Sequence, residues 1–183
     1  MPGHIRQRRW PQWVGTVLVL ALVGIGWWWE QRSFNQRLEP RASAGLAAGE
    51  YVVMRVVDGD TLLLEQDRTR VRLQGIDTPE TVKKNTPVEA WGVEASQYSK
   101  NFVMQAGGTV WLEFDGEQLD RYDRMLAFVW HDGRLLNEEL VRLGLARAML
   151  TFDYSPSLKK RLREAQEDAE ANRRGIWSLE DRR

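Results

Sequence analysis

The chain has 183 residues, with 26 Lys and Arg against 26 Asp and Glu and no cysteine. The lack of cysteine excludes disulfides and thiolate metal sites. The formal charge of zero is unevenly spread, because residues 1–41 contain six arginines against two glutamates, a balance of +4 that leaves −4 for residues 42–183. A globally basic nucleic-acid-binding surface is therefore excluded for the larger part of the chain, and any such binding must use a local patch.

The N-terminal region predicts a membrane anchor. Residues 1–12 are basic, and residues 13–29 form an uncharged apolar run with tryptophans at both ends. As a helix this run is about 25 Å long, which is just adequate for a hydrocarbon core of about 30 Å. The basic flank predicts a cytoplasmic N-terminus and an exported domain in a single-pass protein. A cleaved signal peptide, which would release a secreted domain, remains the alternative.

The rest of the chain predicts a tether, one folded domain and a short tail. Residues 30–50 are polar and then rich in Ala and Gly, residues 51–178 form the domain, and residues 179–183 form a polar tail. Alternating apolar patterns predict five strands, over residues 51–57, 62–65, 70–76, 109–114 and 125–130. Helical patterns predict three helices, over residues 89–105, after an N-cap at Asn137, and from Ser155-Pro156. The apolar face of the first is Trp91, Ala95, Tyr98 and Phe102, and the apolar stripe of the third is Leu158, Leu162, Ala165 and Ala169. The predicted fold class is α+β, a five-stranded OB-like β-barrel with three helices, preceded by the transmembrane helix.

Carboxylates follow two neighbouring predicted strands. Asp58 and Asp60 lie in the turn after the first strand, and Asp77 and Glu80 follow the third. Such a group of like charges requires a positive partner, and a hard divalent cation on oxygen ligands fits. Arg72 adds a fixed cation nearby. Carboxylates, a metal and a guanidinium suit an anionic substrate, of which a phosphodiester fits best.

Three ordered motifs resemble the staphylococcal nuclease (thermonuclease) family. They are VDGDT at residues 57–61, VRLQGIDTPE at residues 71–80 and DRYDRMLA at residues 120–127. The resemblance implies a five-stranded OB-like barrel with three helices and a calcium-dependent phosphodiesterase that acts on DNA, RNA or both. It implies nothing about the anchor.

The resemblance also implies a calcium site. Asp60 and Asp77 would bind Ca2+ through their side chains and Thr78 through its carbonyl oxygen. Asp58 would lie one contact removed from the metal.

For catalysis, the resemblance assigns Glu80 to orient or deprotonate the attacking water. Arg72 and Arg124 would hold the scissile phosphate and neutralise charge in the transition state, and Arg121 and Tyr122 would contact a neighbouring phosphate. The bond to the 5′ oxygen would break, leaving a 3′-phosphate end. Two arginines, a metal and a carboxylate are physically suited to this chemistry.

The sequence departs from the family in three respects. Asp123 stands where a glycine is usual, and aspartate tolerates a positive φ better than most residues. Of the two base-stacking tyrosine positions, one is Leu150, which cannot stack, and the other is Phe152, which can. Tyr154 lies close by in the sequence. The net negative domain also predicts weaker, more salt-sensitive substrate binding.

These observations predict a monomeric, membrane-anchored, exported nuclease. A catalytically silent nucleic-acid-binding OB module and a membrane-tethered protein-interaction domain are the alternatives. The presence together of Asp60, Arg72, Asp77, Glu80 and Arg124 favours the enzyme, because a binding module does not need that set.

Overall fold

The computed structural model of the chain describes residues 46–81 and 89–178. The predicted basic N-terminus, transmembrane helix, most of the tether and the polar tail lie outside these residues. Within the described ranges, no helix is long and apolar enough to cross a membrane.

The described residues form eight short strands and three α-helices. The strands are β1 (Gly49–Asp58), β2 (Thr61–Leu64), β3 (Arg70–Leu73), β4 (Ile76–Asp77), β5 (Thr109–Glu113), β6 (Met125–His131), β7 (Arg134–Leu135) and β8 (Arg147–Ala148). The helices are α1 (Gly92–Gln105), α2 (Leu136–Arg142) and α3 (Pro156–Ala171), with 3-10 turns at Gln66–Arg68 and Gly175–Ser178.

Five of the strands close into a barrel in the order β3-β2-β1-β5-β6. All neighbours along this order are antiparallel, and the parallel pairing of β3 with β6 closes the ring. In that closing pair Arg72 lies opposite Leu126. The predicted five-stranded OB-like barrel with three helices is therefore confirmed.

The third predicted strand is broken in the structure. Pairing with the barrel stops at Leu73, and the chain resumes as β4, which pairs with β8. Gly75, with a φ of +74°, makes the break possible, because a left-handed conformation is accessible to glycine without strain. The break turns Asp77 out of the barrel wall and places it beside Arg147 of β8.

Helix α1 packs its apolar face on the barrel as predicted, with Ala95 and Phe102 buried. It begins at Gly92 rather than at the predicted Glu89, because Trp91 has a left-handed φ of +73° that no α-helix continues. Helix α3 begins at Pro156 after Ser155, and its predicted stripe of Leu158, Leu162, Ala165 and Ala169 is buried.

The prediction that Asn137 caps α2 is wrong. Asn137 lies within the helix and is fully buried. Its side chain accepts a hydrogen bond from the Val129 N–H (3.0 Å) and donates one to the carbonyl oxygen of Gln74 (2.8 Å). Asn137 thus ties α2 to β6 and to the break after β3, because buried polar groups need such partners.

Candidate active site

The turn between β1 and β2 brings a buried carboxylate under the segment that follows β4. Asp60 is 1% exposed. Its Oδ2 atom accepts hydrogen bonds from the backbone N–H of Thr78 (3.0 Å) and from Thr78 Oγ1 (2.8 Å). These bonds fix the two acidic turns to one another, as the sequence predicted from their positions after neighbouring strands.

Arg72 bridges two of the predicted metal ligands. Its Nη1 atom donates to Oδ1 of Asp60, and its Nη2 atom donates to Oδ1 of Asp77 at 2.6 Å. The Asp77 side chain is 59% exposed, so the bridge runs from a buried carboxylate to an accessible one. Arg72, Asp60 and Asp77 therefore form one contiguous centre.

The electrostatics of this centre are dominated by burial. Burial raises the pKa of Asp60 to about 6 although the Arg72 guanidinium lowers it; the neighbouring Asp58 adds to the rise and the hydrogen bonds from Thr78 oppose it. The backbone N–H of Asp60 also donates to Asp58 Oδ1 at 3.2 Å, which keeps the two acids adjacent. A buried carboxylate of this kind is stabilised as an anion by added positive charge.

The donors at this centre fit Ca2+ by their chemistry. Asp60 and Asp77 offer carboxylate oxygens, Thr78 offers a backbone carbonyl, and hard cations prefer oxygen ligands. Within the described residues, no three Asp, Glu or His side chains are grouped so as to hold a metal ion by themselves. A cation here would therefore need water or substrate oxygens to complete its coordination.

Glu80 follows this centre along the chain. Its backbone N–H donates to Oε2 of Glu89 (3.1 Å), and its Oε1 atom accepts from the backbone N–H of Thr81 (3.0 Å). Glu80 is half-buried. The structure thus places it two residues beyond Thr78, which is bonded to Asp60.

The second predicted arginine, Arg124, lines a cleft of about 480 Å³ that Arg72 and Asp77 also line. Arg121 and Tyr122 line the same cleft. The structure therefore brings together five of the predicted site residues around one cavity.

Asp120, for which the sequence predicts no role, holds Arg124 in place. It accepts hydrogen bonds from the backbone N–H of Arg124 (3.0 Å) and from its Nε atom (2.6 Å), and from the backbone N–H of Tyr122 (2.8 Å). Burial raises the pKa of Asp120, but these hydrogen bonds and the Arg124 charge outweigh it and lower the pKa overall. An aspartate that opens a short polar loop is a common turn residue, and that signal was available in the sequence.

Asp123 adopts the conformation expected of a glycine. Its φ is +57°, and its backbone N–H donates to the Asp120 carbonyl oxygen (3.1 Å) in the tight turn that ends at Arg124. The prediction that aspartate complies with a positive φ at this position is confirmed.

The aromatic residues near the cleft divide between surface and core. Tyr122 is 62% exposed, with the Arg121 guanidinium 4.8 Å and the Arg124 guanidinium 5.4 Å from its ring centre. Phe152 is 48% exposed and lines the cleft. Tyr154 is buried against Phe128, with ring centres 5.4 Å apart, and is part of the core. Phe152 is thus an exposed aromatic surface on the cleft, which Tyr154 is not.

Besides Asp120, two further acids of the cleft were missed from the sequence, Glu117 and Asp153. The backbone N–H of Glu117 donates to the carbonyl oxygen of Asp153 at 3.4 Å. No sequence signal links them, because they lie on separate loops that only the fold brings together.

The fold and site together define a small OB-like barrel with a centre of carboxylates and arginines on one cleft. A family profile described as Staphylococcal nuclease homologue matches residues 70–179. The thermonuclease of Staphylococcus hyicus is 44% identical over 172 residues, which cover 90% of this chain and 93% of that protein. The thermonuclease of Staphylococcus intermedius is 41% identical over 141 residues, covering 75% and 81%. Endonuclease YncB of Bacillus subtilis (strain 168) is 35% identical over 127 residues, covering 68% and 59%.

The chain belongs to the staphylococcal nuclease family. The family predicted from the three motifs is therefore confirmed. The roles predicted for individual site residues stay predictions.

Proposed function

We propose that this protein is a calcium-dependent nuclease that hydrolyses phosphodiester bonds in DNA, RNA or both. It is a nuclease by its family and by its relatives, which are named thermonuclease and endonuclease. One observation supports the assignment of the active site most directly. Arg72 bridges Asp60 and Asp77 at a cleft that Arg124 also lines.

Asp60, Asp77 and the Thr78 carbonyl would hold Ca2+, with Asp58 behind them. When bound, the ion supplies positive charge at the scissile phosphate, where it favours attack by water. The pairing of Arg72 with both carboxylates supports this assignment, because the guanidinium lies where it can contact a phosphate bound beside them.

The chain's own residues would divide the remaining work. Arg72 and Arg124 hold the equatorial phosphate oxygens, on which negative charge increases as water attacks. Glu80 accepts a proton from the attacking water, whose oxygen bonds to phosphorus as the bond to the 5′ oxygen breaks. The 5′ oxygen leaves and takes up a proton from solvent, so the products are a 3′-phosphate and a 5′-hydroxyl end. Arg121 and Tyr122 contact the next phosphate, and Phe152 supplies a face on which a base can stack.

We further propose that residues 13–29 anchor a monomeric protein in a membrane, with the nuclease domain on the outer face. The uncharged run, its flanking tryptophans and the basic N-terminus support the anchor. Separation of membranes from soluble proteins tests this proposal. Full-length protein is expected with the membranes and resistant to extraction by carbonate, whereas release of a processed soluble form supports the cleaved signal peptide.

Digestion of single-stranded DNA and RNA by the purified protein tests the enzymatic proposal. We expect cleavage with Ca2+, none with a chelator, and a loss of at least about a hundredfold in Glu80→Gln, since general bases contribute of that order. Substrate binding that persists in the chelator without any cleavage would instead identify a nucleic-acid-binding module. Cleavage unaffected by the chelator would exclude the calcium assignment.

A further inference from the structure

We propose that Glu89 is a positioning residue for hydrolysis, acting by fixing the backbone of Glu80. The inference rests on the proposed function, in which the carboxylate of Glu80 receives the proton of water. Glu89 belongs to none of the three motifs and lies just after a segment that the structure does not describe.

Two reciprocal hydrogen bonds join Glu80 to Glu89. The Glu80 N–H donates to the side-chain Oε2 of Glu89 (3.1 Å), and the Glu89 N–H donates to the carbonyl oxygen of Glu80 (3.0 Å). Both backbone polar groups of Glu80 are thus bonded to one residue.

Glu89 is itself held by the start of α1. Its carbonyl oxygen accepts from the Gly92 N–H at 3.1 Å. A Cβ atom at Gly92 would lie 3.0 Å from the Pro79 carbonyl oxygen and 2.6 Å from Thr81 Cγ2, so the helix end lies directly against the segment around Glu80. Since α1 is packed on the barrel through Ala95 and Phe102, Glu89 links Glu80 to a rigid element.

The backbone of Glu80 is therefore fixed, although this residue follows Pro79 and lies outside any strand or helix. Proton transfer requires the base to lie within hydrogen-bond reach of the water, and a displacement of about 1 Å can cost about a hundredfold in rate. Loss of one of the two bonds should therefore lower kcat. KM should change little, because the arginines that bind phosphate lie on other elements.

The test compares Glu89→Ala, Glu89→Gln and Glu94→Ala in the full-length protein, by steady-state cleavage of single-stranded DNA in Ca2+. Glutamine keeps an acceptor oxygen at the same reach, and Glu94 is an exposed acid in the first turn of α1 that serves as the matched control. We expect Glu89→Ala to lose about tenfold or more in kcat at nearly constant KM. Glu89→Gln and Glu94→Ala should stay within about twofold of the native rate.

Native kcat in Glu89→Ala overturns the inference, as does a loss in Glu89→Gln equal to that in Glu89→Ala, which would assign the effect to charge. Urea unfolding gives the folded fraction of each variant, and cleavage rates are divided by that fraction. This separates a loss of positioning from a loss of stability. A kcat loss that disappears after this correction also overturns it. Glu80→Gln distinguishes the two proposals: if Glu80→Gln stays active, the proposed role of Glu80 fails. If Glu80→Gln is inactive and Glu89→Ala is native, only the role of Glu89 fails.

Discussion

Arg72 serves the fold and the proposed chemistry through the same nitrogen atoms. It pairs with Asp60, which is 1% exposed, and with Asp77 at the cleft. Arg124, by comparison, pairs with Asp120, whose side chain is 14% exposed and also accepts hydrogen bonds from two backbone N–H groups. The two arginines should therefore have similar effects on catalysis and different effects on stability.

Replacement of either arginine by alanine should lower kcat by about a hundredfold or more, because each removes positive charge from the transition state. Arg72→Ala should also lower the free energy of unfolding by about 3 kcal/mol, because it leaves a buried carboxylate without its partner. Arg124→Ala should cost less, about 1 kcal/mol, because Asp120 keeps the hydrogen bonds from the backbone N–H groups of residues 122 and 124. Urea unfolding and cleavage assays on both variants measure these quantities. Native activity in either variant contradicts its assigned role.

Asp123→Gly should be at least as active as the native protein and more stable. The φ of +57° costs a non-glycine residue of order 1 kcal/mol, which glycine does not incur. Asp123→Ala should be less stable than Asp123→Gly, because alanine is restrained in the same way without the local hydrogen bonding of aspartate. Unfolding midpoints and cleavage rates decide the order, and a clear loss of activity in Asp123→Gly would give the Asp123 carboxylate a function.

The roles of single residues could be predicted from the sequence only where their hydrogen-bond partners lie nearby in the chain. Asn137 precedes an amphipathic run, as an N-cap would, and its real partners, Gln74 and Val129, lie on other elements. The acids of the centre were predictable, because they follow two strands that a hairpin pattern makes neighbours. The sequence predicted that Arg72 lies near these acids. It could not predict which two carboxylates Arg72 contacts, because that depends on side-chain rotamers.

At the scale of elements, α1 supports both acidic turns. Ser99 Oγ donates to the carbonyl oxygen of Gly59 at 2.6 Å, and a Cβ atom at Gly59 would lie 2.8 Å from that of Ala95. The same helix begins against Pro79 and Glu80 through Gly92. One helix thus sets the distance between the turn of Asp60 and the segment of Glu80.

Gly59→Ala should disturb this arrangement. The added methyl group meets Ala95 and also Thr78 Oγ1, at 2.9 Å, so the turn that carries Asp60 must shift. Overpacking of this kind costs about 1–3 kcal/mol in stability, and we expect kcat to fall more than tenfold. Gly49→Ala is the control, because its nearest contact is an ordinary 3.9 Å to Tyr51. Native kinetics in Gly59→Ala would show that the turn tolerates displacement.

The sequence predicted which elements exist better than where they end. The apolar face of α1 was predicted from its periodicity, but its first residue depends on the φ of Trp91, for which tryptophan gives no signal. The break in the third strand at Gly75 had a signal, since glycine inside a strand marks bends and close approaches. That signal was outweighed by the apolar residues on either side.

At the scale of the molecule, the folded unit extends slightly beyond its predicted start at residue 51. Leu46 is 7% exposed within the core, and Tyr51 donates its hydroxyl to the Ala47 carbonyl oxygen at 2.7 Å. The chain from residue 46 onward therefore contributes to stability.

A chain that begins at residue 42 should be soluble and as active as the full-length protein. One that begins at residue 49 should unfold about 2 kcal/mol more easily, because the buried side chain of Leu46 is lost. Urea unfolding of the two chains measures the difference, with Leu46→Ala in the longer one to assign it to that side chain. Equal stability of both chains would place the boundary of the folded unit after Leu46.

The parallel pairing that closes the barrel joins residues 71–73 to residues 125–127. Pairings between distant parts of a chain form slowly, because a long loop must be closed before any contact compensates for its entropy. Arg72 lies in β3 and Arg124 directly precedes β6, so this pairing brings both to one cleft, and intermediates with an open barrel should be unable to cleave nucleic acid. During refolding from urea, enzymatic activity should therefore return with the slowest structural phase. A growing polypeptide of this sequence should therefore stay inactive as a nuclease until its sixth strand has been synthesised and has paired.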